Sequence, residues 1–260
     1  MVNFFSRLHR QLPDFLIIGA QKCGTTSLFH YLSQHPDIEM PETKEIHYFD
    51  LNYKKGPEWY KNNFPKKKLF GKKLTGEASP YYLFHPLVPQ RVKKHLSKVK
   101  LIIMLRNPVN RAYSQFMHER KLGIEPLSSF EDAITLEHSR IDDDEKKLIN
   151  GEIEHSNAFQ HFSYISRGLY FKQISRWLKY FSFKKMYFVK SEDFFTNPEK
   201  ELESIYHFLG VRYFTPNDLT SQNTNHYLKI SEKNKDVLLA NFSEDNKKLA
   251  KLLGDKFLWI

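Results

Sequence analysis

One cysteine, Cys23, occurs in 260 residues. A single thiol cannot close an intrachain disulfide, which excludes the stapled design of small secreted domains and favours a reducing compartment. No stretch approaches the ~20 apolar residues of a membrane-spanning helix, and residues 1–10 lack the apolar run of a signal peptide. The expectation is a soluble, cytoplasmic protein. Internal repeats, low-complexity tracts and sharp composition shifts are absent as well, so a single domain over residues 1–260 is expected. Acidic residues are in deficit, 30 Asp+Glu against 40 Lys+Arg, and the net charge of +10 draws anions: nucleic acid, anionic lipid, a phosphorylated cofactor or an acidic glycan. With 40% hydrophobic and 15% aromatic residues the chain can bury a core, which excludes disorder throughout.

The apolar pattern alternates between strand and helix. Phe15–Ile18 reads as a strand ending at Gly19, followed by a Gly/Thr-rich turn and a helix from Ser27 to near His35. Lys73–Glu77 is a weaker strand; Val99–Leu105 is a strong one, closed by Asn107-Pro108 and followed by a helix over 109–120. A helix over 170–181 and a strand over Met186–Val189 continue the rhythm. Such alternation predicts an α/β fold of three layers, a central parallel sheet flanked by helices. The segment 141–157, with its run Asp142-Asp143-Asp144-Glu145, interrupts it and reads as a solvated insertion.

Gly19-Ala20-Gln21-Lys22-Cys23-Gly24-Thr25-Thr26 lies between the first strand and the first helix, where backbone N–H groups and the helix dipole receive phosphate. The two glycines keep the spacing of the nucleoside-triphosphatase P-loop, GxxxxGK[ST], but Thr25 stands where its lysine belongs and the lysine is at position 22. The strand ending at Leu105 is followed by Arg106 and Asn107, so the acidic metal partner of that class is missing there too. A donor bearing one 5′-phosphosulfate needs cations and N–H groups without a metal. Taken alone, the loop is equally open to being a simple strand-to-helix turn with a surface lysine.

Lys22-Cys23-Gly24-Thr25-Thr26-Ser27 resembles the 5′-phosphosulfate loop of the sulfotransferases that use 3′-phosphoadenosine 5′-phosphosulfate (PAPS), in particular their heparan-sulfate and carbohydrate branch. Arg106-Asn107-Pro108-Val109-Asn110-Arg111-Ala112-Tyr113-Ser114 resembles their 3′-phosphate motif, R-[DN]-P-x-x-R-x-x-S. Arginine at a strand end and serine in the next helix are suited to converge on one phosphate. Between the two, Glu45-Ile46-His47-Tyr48-Phe49-Asp50 is similar to the branch's E-x-H-[FY]-F-D segment, whose glutamate is the catalytic base.

The resemblance implies sulfonate transfer from PAPS to a hydroxyl or amine, without a metal, on a P-loop-like fold. Glu45 would be general base, with Lys22 and the loop through Ser27 on the phosphosulfate, and Arg106 and Ser114 on the 3′-phosphate. His47 is open to two readings, positioning the acceptor or Glu45, or hydrogen-bonded packing in an aromatic cluster. Gly76-Glu77-Ala78-Ser79-Pro80-Tyr81-Tyr82 is similar to bacterial members, where animal heparan-sulfate enzymes carry a lysine near position 78. Arg167-Gly168-Leu169-Tyr170 resembles an R-G-x-Y element beside the site, with Tyr170 read as core. In place of the animal enzymes' disulfide-bearing lid stands the run 221–227, in which Asn225 and His226 are candidate nucleotide contacts and a plain helix-capping loop is the equal alternative.

The expected partners are PAPS and an acceptor, an acidic glycan or other carbohydrate, and no nucleic acid. A P-loop nucleotide kinase is the runner-up, weakened by Thr25 and the missing acidic ligand. A basic nucleic-acid module would draw on Lys66–Lys68, Lys72 and Lys73, which no binding motif surrounds.

Overall fold

The computed structural model describes residues 10–66, 73–221 and 230–259. Five strands, β1 (Phe15–Gly19), β2 (Ile38–Glu39), β3 (Leu74–Ala78), β4 (Lys100–Leu105) and β5 (Met186–Lys190), form one parallel sheet in the order β2-β3-β1-β4-β5. Every residue of β1 is buried, as are Leu101 to Leu105 of β4, because helices cover both faces and leave neither available for polar side chains. The expected α/β architecture is therefore the observed one.

Strand order also locates the site. The chain runs from β1 outwards to β2 and β3, then crosses back to β4 and β5 on the other side of β1. The connections diverge between β1 and β4, and ligands of open α/β sheets bind beyond the carboxyl ends of the strands at such a point. Because all strands are parallel, the loops after β1, β3, β4 and β5 leave the sheet at that same edge.

Helix Pro108–Lys121 begins one residue earlier than the sequence pattern predicts, because Asn107 accepts the N–H groups of Val109 and Asn110 (3.0 and 3.3 Å) and caps it, with proline at its first position. The helix Glu232–Leu253, unassigned in the sequence reading, packs Leu238 and Phe242 against Val109, Ala112 and Phe116 in a second core. Nor is the 141–157 segment simply solvated. It contains helix Asp144–Asn150, whose Leu148 is buried with Phe159, Tyr81 and Phe84, while Glu145 pairs with Lys172 and Arg176. Its charges are those of an amphipathic helix whose apolar face is covered by residues both earlier and later in the chain.

Candidate active site

Gly24 ends the loop after β1 with φ of 93° and caps helix Thr25–Ser33. A Cβ there would lie 2.7 Å from the Phe195 ring, so both conformation and space demand glycine. The first intrahelical bond runs from Leu28 N–H to the Gly24 carbonyl (3.1 Å), which leaves the N–H groups of Thr25, Thr26 and Ser27 outside the helical ladder. Helix dipole and N–H groups together make an anion seat. Thr25 and Ser27 are buried, and Thr26 is partly exposed.

Two strand ends brace this loop. From β4, Arg106 donates to the Lys22 carbonyl (3.3 Å); from β5, Ser191 donates to the Cys23 carbonyl (2.7 Å). Tyr170, fully buried as expected of a core residue, donates to the Arg106 carbonyl (2.9 Å) and lies 3.8 Å from Cys23 Sγ. Its hydroxyl ties the two phosphate-type motifs to each other. Cys23 is itself buried, and burial pushes its thiol up, so it is a packing residue of the loop.

Lys22 is held with φ of 68°. Burial lowers its pKa; Glu119 opposes this, Arg106 adds to it, and Glu45 opposes it. Two cations, Lys22 and Arg106, are thus close enough to repel, which an anion seated between them would relieve. Ser114 lies on the buried face of helix 108–121, about 9 Å of helical rise beyond Pro108. It makes no direct contact with Arg106 among the hydrogen bonds described. The motif's second arginine, Arg111, is fully buried and donates to Gln115 (2.8 Å) and to the Tyr164 carbonyl, which makes it structural.

Glu45 follows β2 on a loop carried back to the sheet by its N–H, which donates to the Ala78 carbonyl at the end of β3 (3.0 Å). His47 lies between two carboxylates, Nδ1 at 2.8 Å from Asp50 Oδ2 and Nε2 at 3.2 Å from Glu45 Oε2. Burial alone would lower His47, but the hydrogen bonds to Asp50 and Glu45 outweigh it and raise it to about 10. Burial alone would likewise raise Glu45; the His47 hydrogen bond and the Lys44 ammonium outweigh it and bring it down to about 2. Near neutrality this is an ionised carboxylate beside an imidazolium, with Lys44 on its other oxygen. The Glu45 side chain is 41% exposed and open to a partner from solvent.

The structure thus brings Lys22, Arg106, Glu45 and His47 to one strand-end edge. Asn225 and His226 lie outside the described residues, as do residues 67–72 of the basic stretch. Sequence reasoning missed Asp50 as the orienting carboxylate, although its i,i+3 spacing from His47 was visible. It also missed His118, whose pKa is lowered by burial and then by Lys22 and raised by Glu119 and Glu45, so that it shares their surroundings. A buried network under the loop went unseen too. Arg167 donates to Gln21 and stacks over Tyr81 (4.7 Å), and Glu119 meets Gln21 (3.4 Å) and His161 (3.0 Å). Beside Arg167, Gly168 lets the Phe242 ring pack closely, since a Cβ there would lie 2.4 Å from it. No local pattern joins residues so far apart in the chain.

Residues 12–251 match the family model described as "Sulfotransferase domain". The chain belongs to the sulfotransferase family. It is similar to a crystallised sulfotransferase from Alicyclobacillus acidocaldarius, with 30% identity, a TM-score of 0.76 and coverage of 94% of this chain and 96% of that one. Among curated proteins it is 34% identical to human heparan sulfate glucosamine 3-O-sulfotransferase 3B1 over 81% of this chain and 49% of the relative. It is 28% identical to the membrane-associated sulfotransferase kil1 of Dictyostelium discoideum over 95% of this chain and 66% of the relative. The sulfotransferase chain thus spans from about half to about two thirds of these curated relatives. A mouse sulfotransferase complexed with PAP shares the fold at 16% identity and a TM-score of 0.55. No helix among the described residues of this sulfotransferase is long and apolar enough to cross a membrane.

Proposed function

We propose that this sulfotransferase moves a sulfonate group from PAPS to a hydroxyl or amine of a carbohydrate, with Glu45 receiving the acceptor's proton. The observation that carries the reading is the meeting of three groups from separate loops: the Arg106 guanidinium on the Lys22 carbonyl, and Glu45 close enough for its charge to raise Lys22. Cation, anion seat and carboxylate then face one small volume, as in-line transfer requires.

PAPS, when bound, supplies the sulfonate and its leaving phosphate. The N–H groups of Thr25, Thr26 and Ser27 with Lys22 suit the 5′ end of the donor, and Arg106 with Ser114 suits its 3′-phosphate. Lys22 neutralises charge that grows on the donor oxygens. Glu45 takes the acceptor's proton, and a carboxylate held at about 2 does so only once the acceptor oxygen has become acidic, late in its attack. His47, clamped by Asp50, holds the carboxylate in place. Heparan sulfate enzymes among the relatives and the chain's net charge of +10 support a glycan acceptor, and the lone buried cysteine supports a cytoplasmic location. Family membership favours this reading over the nucleotide kinase.

Two measurements test it. Calorimetry without magnesium should show 3′-phosphoadenosine 5′-phosphate (PAP) binding at least tenfold more tightly than AMP; equal affinities would refute the donor assignment. Glu45→Gln should bind PAP like wild type and lose about 10²-fold or more in kcat. A folded Glu45→Gln variant with normal kcat would remove the base and leave the donor reading intact.

A further inference from the structure

The stretch bearing Glu45 and His47 has an unusual backbone. Both residues have positive φ, 63° and 53°, and neither is glycine. Side-chain-bearing residues rarely adopt this region and stay there only when their surroundings hold them. Four N–H groups of the stretch are held by the last residue of β3 and the segment that follows it. Glu45 donates to the Ala78 carbonyl (3.0 Å), His47 to Ser79 Oγ (3.2 Å), and both Tyr48 and Phe49 to the Tyr82 hydroxyl (2.9 and 3.3 Å). On the carbonyl side, Arg91 takes Phe49 and Asp50 (2.7 and 3.2 Å).

Tyr82 is fully buried. A phenol oxygen that accepts two N–H groups still has its own proton to place. Behind it lies Glu77, also fully buried, whose carboxyl faces the hydroxyls of Tyr60, Tyr82 and Ser79 and the charge of Asp50, with no cation among these neighbours. The Glu77 carboxyl and the Tyr82 hydroxyl interact across this buried space, where burial raises both. It is a loose contact, since neither Glu77 oxygen has a partner at ordinary hydrogen-bond distance and angle. Glu77 is too deep to meet a substrate, and neither it nor Tyr82 has a part in the chemistry above.

We propose that Tyr82, backed by the buried carboxyl of Glu77, is a positioning residue that fixes the Glu45–His47 pair by holding the Tyr48 and Phe49 N–H groups. The proposal rests on the reading of Glu45 as proton acceptor only for its effect on turnover. Its effect on geometry is independent of that reading.

The experiment compares wild type with Tyr82→Phe, Glu77→Gln and Glu77→Met in three measurements: the His47 titration by NMR, PAP affinity by calorimetry, and turnover with PAPS and heparan sulfate chains. Tyr82→Phe keeps the ring but releases two N–H groups. It should lower the His47 pKa by at least one unit through loss of the Glu45 contact, and lower any turnover at least tenfold, with PAP affinity within twofold of wild type. Glu77→Met, which removes the acceptor for the phenol proton, should act in the same direction, whereas Glu77→Gln, which restores one, should stay near wild type. If Tyr82→Phe does not fold, the two Glu77 variants carry the test. An unchanged His47 titration in folded Tyr82→Phe or Glu77→Met overturns the proposal, and so does an equal loss of PAP affinity and turnover, which marks a general structural role. Normal turnover in Glu45→Gln alongside a shifted His47 in Tyr82→Phe would refute the base and leave the positioning role standing.

Discussion

Replacing Glu77 by glutamine should make the protein more stable in alkaline than in mildly acidic solution relative to wild type. Glu77 is fully buried at the end of β3, and burial raises its carboxyl from the ordinary 4.5 to about 7, with the hydroxyls of Tyr82, Tyr60 and Ser79 compensating in part. The folded value lies above the unfolded one. Its stabilising contribution is therefore complete below pH about 4.5, declines as pH rises, and is lost once pH has passed about 7. The difference between those two values corresponds to about 3 kcal/mol, at 1.36 kcal/mol per pKa unit. Glutamine cannot ionise and has no such dependence. About 2.5 kcal/mol of this falls between pH 5 and pH 8, so at about 2–4 °C per kcal/mol for a chain of this size the Tm of Glu77→Gln should exceed that of wild type by roughly 5–10 °C more at pH 8 than at pH 5. Scanning calorimetry of both proteins in matched buffers measures this, and the difference between them cancels other groups that titrate in common. A Tm difference independent of pH would refute the reasoning, because it would mean that Glu77 does not change its protonation between those conditions in the folded state.

Two further outcomes test the neighbouring groups. Arg106→Ala should lose about 1.5–3 kcal/mol of PAP affinity, the worth of a charge-assisted contact, with an unchanged circular dichroism spectrum; unchanged affinity in the folded variant would take Arg106 out of the nucleotide site. Asp50→Asn keeps a hydrogen-bond acceptor for His47 Nδ1 but removes the charge that helps raise the imidazole to about 10. The stabilisation drawn from the protonated ring is lost as pH rises through the folded pKa, so in this variant the loss should begin at lower pH. A His47 NMR titration unmoved by the substitution would show that Asp50 does not set it.

What the sequence determined by itself was whatever depends on short-range pattern. Apolar runs at 15–18 and 99–105 announced β1 and β4, since a strand buried on both faces must be apolar throughout, and the run at 186–189 announced β5, a partly buried edge strand. The Gly24 turn, the displaced Lys22 and the arginine at the end of β4 were legible because their chemistry is carried by adjacent residues. Segments whose apolar partners are distant were misread or passed over, among them helix 144–150, which needs Phe84 and Phe159, and helix 232–253, which needs the 108–121 helix. Only the tertiary structure decided which polar residues meet. Parallel strands bring their carboxyl ends to one edge, so Lys22, Glu45, Arg106 and Tyr170, spread over 148 positions from Lys22 to Tyr170, become neighbours there. Burial did the rest, turning Arg111 into a structural group and raising the Glu77 carboxyl to about 7, while Asn107 of the same motif as Arg111 serves as a helix cap. Charge state and partner choice follow from solvent exclusion and three-dimensional proximity, neither of which is encoded in the spacing of a motif.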